Sequence, residues 1–166
     1  MKTFMRVLMG VVVVALLTGQ SEAQIEIKVG GGLILDNSRW GGHVSVDIPV
    51  GDTNPTFLSP FAEFYRTSLG GGAHINEMPI GANLLYKAAF SEQYGVVYFG
   101  IGGGMFLARG AASATEPMVT AGGGLTVDMS ETLGIFAQGR WFRAFTTGSK
   151  NDVSLHVGIS FKIQED

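Results

Sequence analysis

Apolar residues recur at every second position along most of this chain, and the pattern is cleanest at the C-terminal end. Val153, Leu155, Val157, Ile159, Phe161 and Ile163 are apolar, and Ser154, His156, Gly158, Ser160 and Lys162 alternate with them. Successive side chains of a strand point to opposite faces, so this segment has one oily face and one polar or small face. A tilted strand of about 9–11 residues also crosses a bilayer. In hydrocarbon every backbone N–H and C=O must be paired within the protein, which strands achieve only as a closed barrel.

The same alternation predicts strands near 25–35, 40–50, 57–66, 79–90, 96–107, 118–129 and 134–145, with the last from 153 to 163. Asp36-Asn37-Ser38-Arg39, Gly51-Asp52-Thr53-Asn54-Pro55, Ser91 to Tyr94 and Ser130-Glu131-Thr132 carry turn chemistry between them. Leu69 to Glu77, Gly110 to Pro117 and Thr146 to Asp152 are expected as longer loops. The fold class that follows is all-β: an eight-stranded antiparallel up-and-down barrel, with no helix in the mature chain.

Alternation alone does not say which face is inside, because a soluble lipocalin-like barrel has the same period with its apolar face inward. Three features favour the transmembrane arrangement. The polar face gathers Glu26, Asp47, Glu63 and Asp128 with Lys28, Lys87, Arg140 and Lys162, balanced in sign as an enclosed lumen requires. After a short first connection, which is an exception, the expected connections alternate short and long, as periplasmic turns and external loops do. Aromatic residues fall near strand ends: Phe57, Phe90, Tyr94, Tyr98, Phe136 and Phe161 at one, Trp40, Phe64, Tyr65, Phe106, Trp141 and Phe145 at the other. Two such girdles mark two membrane interfaces.

Composition narrows the class. The 166 residues suit one domain, with 46% hydrophobic and 15% charged residues and a formal net charge of -3. The absence of Cys removes disulfides, thiol nucleophiles, thiolate metal sites and a lipoprotein anchor. The mildly acidic balance, without a basic run, argues against nucleic acid. Lys2 and Arg6 precede an apolar run from Val7 to Leu17, and Ser21-Glu22-Ala23 follows. This is the layout of a signal peptide over residues 1–23, cleaved after Ala23, leaving a barrel domain over 24–166.

Short motifs carry a resemblance. Tyr98-Phe99-Gly100-Ile101-Gly102-Gly103-Gly104, Gly122-Gly123-Gly124-Leu125 and Gln138-Gly139-Arg140-Trp141-Phe142 are similar to strands of the bacterial outer membrane protein β-barrel domain family, the OmpA-like small barrels. His156-x-Gly158-x-x-Phe161-x-Ile163 resembles that family's C-terminal assembly signal, although the family usually ends on an aromatic residue. The resemblance implies a bacterial outer-membrane location. It also implies lipid and lipopolysaccharide as surroundings, the β-barrel assembly machinery as a partner of the last strand, and an extracellular ligand at the loops.

Little in the chain points to catalysis. The Gly triplets at 30–32, 70–72, 102–104 and 122–124 precede no helix, so they do not form a phosphate cradle. His43 and Ser45 are the one pair suggesting acyl hydrolysis or transfer on lipid A, but their parity places both in the lumen. His74 and His156 are isolated in sequence, so no metal site is expected. The expected function is structural or surface-interactive, with no catalytic, cofactor-binding or metal-binding residue and no cofactor. A lipid A-modifying enzyme and a secreted lipocalin-like binding barrel are the alternatives.

Overall fold

A computed structural model describes residues 24–36, 38–50, 55–91, 95–110, 113–145 and 150–163. It contains eight strands: β1 (Ile25–Ile34), β2 (Arg39–Pro49), β3 (Thr56–Gly70), β4 (Ala73–Ser91), β5 (Gly95–Gly110), β6 (Ala114–Asp128), β7 (Leu133–Ala144) and β8 (Lys150–Ile163). Each strand pairs with the next, and β8 returns to β1 to close the barrel. Ile25 stands opposite Ile163 and Ile34 opposite Ser154 along this seam. Closure gives every strand two neighbours, so no strand lies at a sheet edge, although the β3–β4 hairpin extends beyond its β2 partner, whose pairing ends at Gly41 and Tyr65. The expected signal peptide lies outside the described residues.

The apolar face points outward. Val157 is 64% exposed and Ile101 70%, whereas Glu63 and Arg140 are 3% and 5% exposed. A water-soluble barrel would reverse these values. Exposed Val, Leu, Ile and Phe side chains cover the outside of β8 along its whole length, from Val153 to Ile163. Such a surface is stable against lipid and costly against water.

Two of the three features that pointed outward from the sequence are corrected. Where they are described, the expected long loops are largely strand, and residues 111–112 and 146–149 lie outside the described residues. Leu69 to Glu77 is mostly strand, and β3 and β4 are joined by Gly71-Gly72 alone. Both glycines have positive φ, 59° and 82°, which is the geometry of a two-residue hairpin turn and explains Gly at both positions. Likewise β6 begins at Ala114, inside the expected 110–117 loop, and β8 begins at Lys150. The extra residues lengthen strands instead: β3, β4 and β5 have 15, 19 and 16 residues.

The aromatic girdles are also thinner than expected. Trp40, Phe64, Trp141 and Phe145 are exposed at one end, with Phe161 at the other. Tyr86 and Phe99 add an exposed cross-strand pair, ring centroids 5.4 Å apart. But Tyr65, Tyr98, Phe106 and Phe136 are buried inside the barrel. Parity, not proximity to a strand end, decides: each shares its face with lumen residues such as Glu63 or Gln138. The side chains of Phe90 and Tyr94 lie outside the described residues, and Phe57 lies under Lys87, whose Nζ is 4.3 Å from the ring centroid.

A charge-filled lumen and an arginine rim as the candidate functional site

An eight-stranded barrel has room for side chains but little more, and this one fills it with ion pairs. They fall into sign-balanced sets stacked along the lumen. Toward the end carrying the β4–β5 connection, Lys28 Nζ lies 2.7 Å from Asp47 Oδ2 and 3.6 Å from Glu26 Oε2. Lys87 Nζ lies 2.6 Å from the same Glu26 oxygen and 2.7 Å from Asp47. Ser59 Oγ donates to Asp47 Oδ1 at 2.6 Å. Two lysines thus face two carboxylates. Lys162 and Asp128 form a further pair at 2.7 Å.

The middle set centres on Glu63, which pairs with Arg140. Tyr65 Oη donates to Glu63 Oε2 at 3.0 Å, and the Arg140 guanidinium lies over the Phe61 ring at 3.8 Å. At the opposite end, Arg39 pairs with Glu77 and reaches Asp152 Oδ2 at 3.0 Å. Lys150 lies 2.5 Å from Glu77 and 3.2 Å from Asp152. An unpaired charge in this space would cost several kcal/mol, so each set must be neutral, and each is.

All the luminal charges read from the sequence are inside. The Arg39, Glu77, Lys150 and Asp152 set is absent from the sequence reading, which places those residues in turns and loops. The signal was present: Asp152 continues the polar parity of Ser154 and His156, and Glu77 shares parity with Gly81 and Asn83. A small cavity separates the first two sets, lined by Asp47, Ser59, Asn83, Tyr98, Gln138 and Arg140 among others.

The histidines expected to be scattered are partly gathered. The rings of His43 of β2 and His156 of β8 lie with centroids 4.6 Å apart, tilted by 32°. Gln138 Nε2 lies 3.1 Å from His43 Nε2 and 3.3 Å from His156 Nδ1, and Tyr65 Oη lies 2.6 Å from His156 Nε2. His156 fits because Gly32 faces it: a Cβ on that glycine would overlap the imidazole. His74 stays apart, near the β3–β4 turn, with its ring 3.3 Å from Gly72 O.

His43 and Ser45 do touch, Nε2 to Oγ at 3.1 Å, closer than their spacing along the strand required. His43 Nδ1 is also 3.5 Å from Glu63 Oε1, so hydroxyl, imidazole and carboxylate follow one another in the order used by hydrolytic triads. Yet Ser45 and His43 are each 3% exposed, between charge layers, and face no lipid.

On the outer surface the charges are one-sided. Every carboxylate on a described strand faces the lumen. Arg66, Arg109 and Arg143 face outward and are exposed, all at the end carrying the β3–β4 and β5–β6 hairpins. Arg66 pairs with Asn76 across β3 and β4, and Asn76 with Arg109 across β4 and β5, so two of the three stand in one cross-strand row. The Arg143 guanidinium lies 5.9 Å from the Phe145 ring. Trp40, Phe64 and Trp141 lie on the same rim.

No family model and no curated protein sequence matches the chain. Solved structures do. Neisserial surface protein A superposes with a TM-score of 0.64 at 11% identity, covering 86% of this chain and 96% of that one. Pseudomonas aeruginosa outer membrane protein OprG gives 0.61 at 14%, covering 89% and 99%. Ail, the attachment invasion locus protein of Yersinia pestis, solved with the heparin analogue sucrose octasulfate, gives 0.58 at 13%, covering 84% and 97%. The chain has the fold of these small outer-membrane β-barrels over nearly its whole described length.

Proposed function

We propose that this protein is an integral barrel of the bacterial outer membrane with a structural and surface-interaction role, held in the outer leaflet by contacts with lipopolysaccharide. The observation that carries this reading is the arginine rim. Among the described strand residues, Arg66, Arg109 and Arg143 are the charges that project outward, all from one end, which this reading sets at the lipid headgroups. Lipopolysaccharide bears phosphates at that depth, and arginine suits phosphate through its forked donors. The same end carries the extended β3–β4 and β5–β6 hairpins, which therefore face the exterior. Ail, which shares the fold, was solved with a polysulfated ligand, consistent with an anionic surface partner for hairpins of this kind. The β-barrel assembly machinery is proposed to recognise β8, which makes the closing seam with β1.

The test compares the folded protein with the Arg66→Glu/Arg143→Glu variant after mixing with purified lipopolysaccharide in detergent. The wild type is expected to keep lipopolysaccharide through a wash at physiological salt, and the variant to lose it while still migrating as a folded barrel. Equal retention by both removes the rim from the reading.

The Ser45, His43 and Glu63 alignment favours a second reading, an acyl hydrolase or transferase acting on lipid A. Burial of the hydroxyl speaks against it, because an acyl chain must reach Ser45 through a charged, filled lumen. Lipid A acylation in cells carrying the wild type or Ser45→Ala decides: this reading needs a difference, and none is expected.

A further inference from the structure

We infer that His43, Glu63 and His156 form a binding site for a divalent transition-metal ion, of the zinc class, inside the barrel. The sequence separates these residues by up to 113 positions, but the barrel brings one ligand atom from each to within 4.8 Å of the others. His43 Nδ1 and His156 Nε2 each lie 3.5 Å from Glu63 Oε1. That separation is long for a hydrogen bond. It is close to the edge of a tetrahedron whose metal–ligand bonds are about 2.1 Å, which is about 3.4 Å.

A second observation points the same way. His43 Nδ1 is fully buried and has no hydrogen-bond partner among the described residues. A buried ring nitrogen without a partner is expensive unless something occupies the space before it. Tyr65 Oη, now hydrogen-bonded 2.6 Å from His156 Nε2 and 3.0 Å from Glu63 Oε2, reaches the fourth ligand position by drawing back from His156 by about 0.8 Å to the tetrahedral spacing. Two imidazoles and two oxygens are a donor set that borderline ions accept.

The outer nitrogens of both rings are already supported. His43 Nε2 meets Ser45 Oγ at 3.1 Å, and His156 Nδ1 meets the Gln138 carboxamide at 3.3 Å. In the metal-bound form both nitrogens carry the proton. His43 then donates to Ser45, and the Gln138 amide turns to present its oxygen to His156.

Arg140 is the competitor. It pairs with the same Glu63 oxygen, and its charge opposes a cation. It also lines the small cavity that contains Asp47, toward which it can turn when the ion takes Glu63. The ion joins β2, β3 and β8 across the lumen, beside the seam where β8 meets β1. Because the lumen is filled above and below, the ion enters as the barrel closes.

The experiment refolds the full mature barrel from urea into detergent with Co2+ or Zn2+, then removes loosely held metal with a chelator. The wild type should retain a single Co2+ with the visible absorption of a tetrahedral site, and Arg140→Gln should bind it more tightly. His74→Ala should retain the ion, and His43→Ala/His156→Ala should lose it. Should that double variant fail to fold, the imidazole 15N resonances of the wild type give the reading without substitution: two histidines shift with Zn2+. Absence of stoichiometric metal from both the wild type and Arg140→Gln overturns the site, as does retention by a folded double variant or unshifted imidazoles.

Discussion

Arg39, the first residue of β2, donates from Nη2 to Asp152 Oδ2 of β8 at 3.0 Å, across 113 residues of sequence. The two strands are not neighbours; β1 lies between them. The contact therefore passes over β1 inside the lumen, and it is one bond in a charge network that shares the interior with an apolar cluster including Ile34, Phe61, Phe106, Met118 and Phe142. What holds this barrel shut is the backbone ladder, with paired charge and a buried apolar cluster filling the interior.

Asp47 shows how much rests on pairing. It serves both Lys28 and Lys87 and is fully buried. Asp47→Ala leaves two enclosed ammonium groups short of a counter-charge, and breaking a buried pair in this way costs about 3–5 kcal/mol. Equilibrium urea unfolding in lipid or detergent, followed by tryptophan fluorescence, measures it. Replacing the whole set with neutral residues of similar size should cost less than Asp47→Ala alone.

Gly32 tests the packing around the histidine pair. A side chain there overlaps the His156 ring. Gly32→Val is expected to destabilise by about 1–3 kcal/mol through overpacking. His156→Ala should relieve part of that cost, so a double-mutant cycle on the two positions gives a favourable coupling. Simple additivity would mean that the two side chains do not compete for space.

Depth in the membrane can be read from the outer wall. Val157 lies midway along β8 and is 64% exposed. Val157→Arg should cost about 2–4 kcal/mol in a bilayer, whereas the same change at Ile163, at the strand end, should cost about 0–1 kcal/mol. Folding into phospholipid vesicles from urea measures both. Equal costs would place the hydrocarbon band elsewhere on the wall.

The β3–β4 hairpin makes a local prediction. Gly72 sits at φ 82° with open space around its Cα. Gly72→Val introduces no clash but forces a β-branched residue into the left-handed region, at a cost of about 1–2 kcal/mol. Gly72→Asn should be milder, because Asn tolerates that region. Differential amide exchange at the turn, with the rest of the barrel unchanged, is the expected signature.

The strands, their order and their outward face were legible from the chain alone. Period-2 alternation is a local property: Val153 to Ile163 shows it without reference to any other segment. The sign balance of Glu26, Asp47, Glu63 and Asp128 against Lys28, Lys87, Arg140 and Lys162 added the inside, since only an enclosed space demands neutrality. Where local composition misled, it was at Leu69–Glu77 and Gly110–Pro117. Glycine-rich and small-residue stretches read as loops, yet backbone pairing with a neighbouring strand is indifferent to side-chain size.

What only the tertiary structure decided is which luminal groups meet. Parity puts His43, Glu63 and His156 on one face of three strands, but their height depends on the register between strands and on the closure of β8 onto β1. Both are set by backbone hydrogen bonds around the whole ring. The chain by itself determined that polar groups would be enclosed. The ladder determined that two imidazoles, a carboxylate and a phenol would converge on one point.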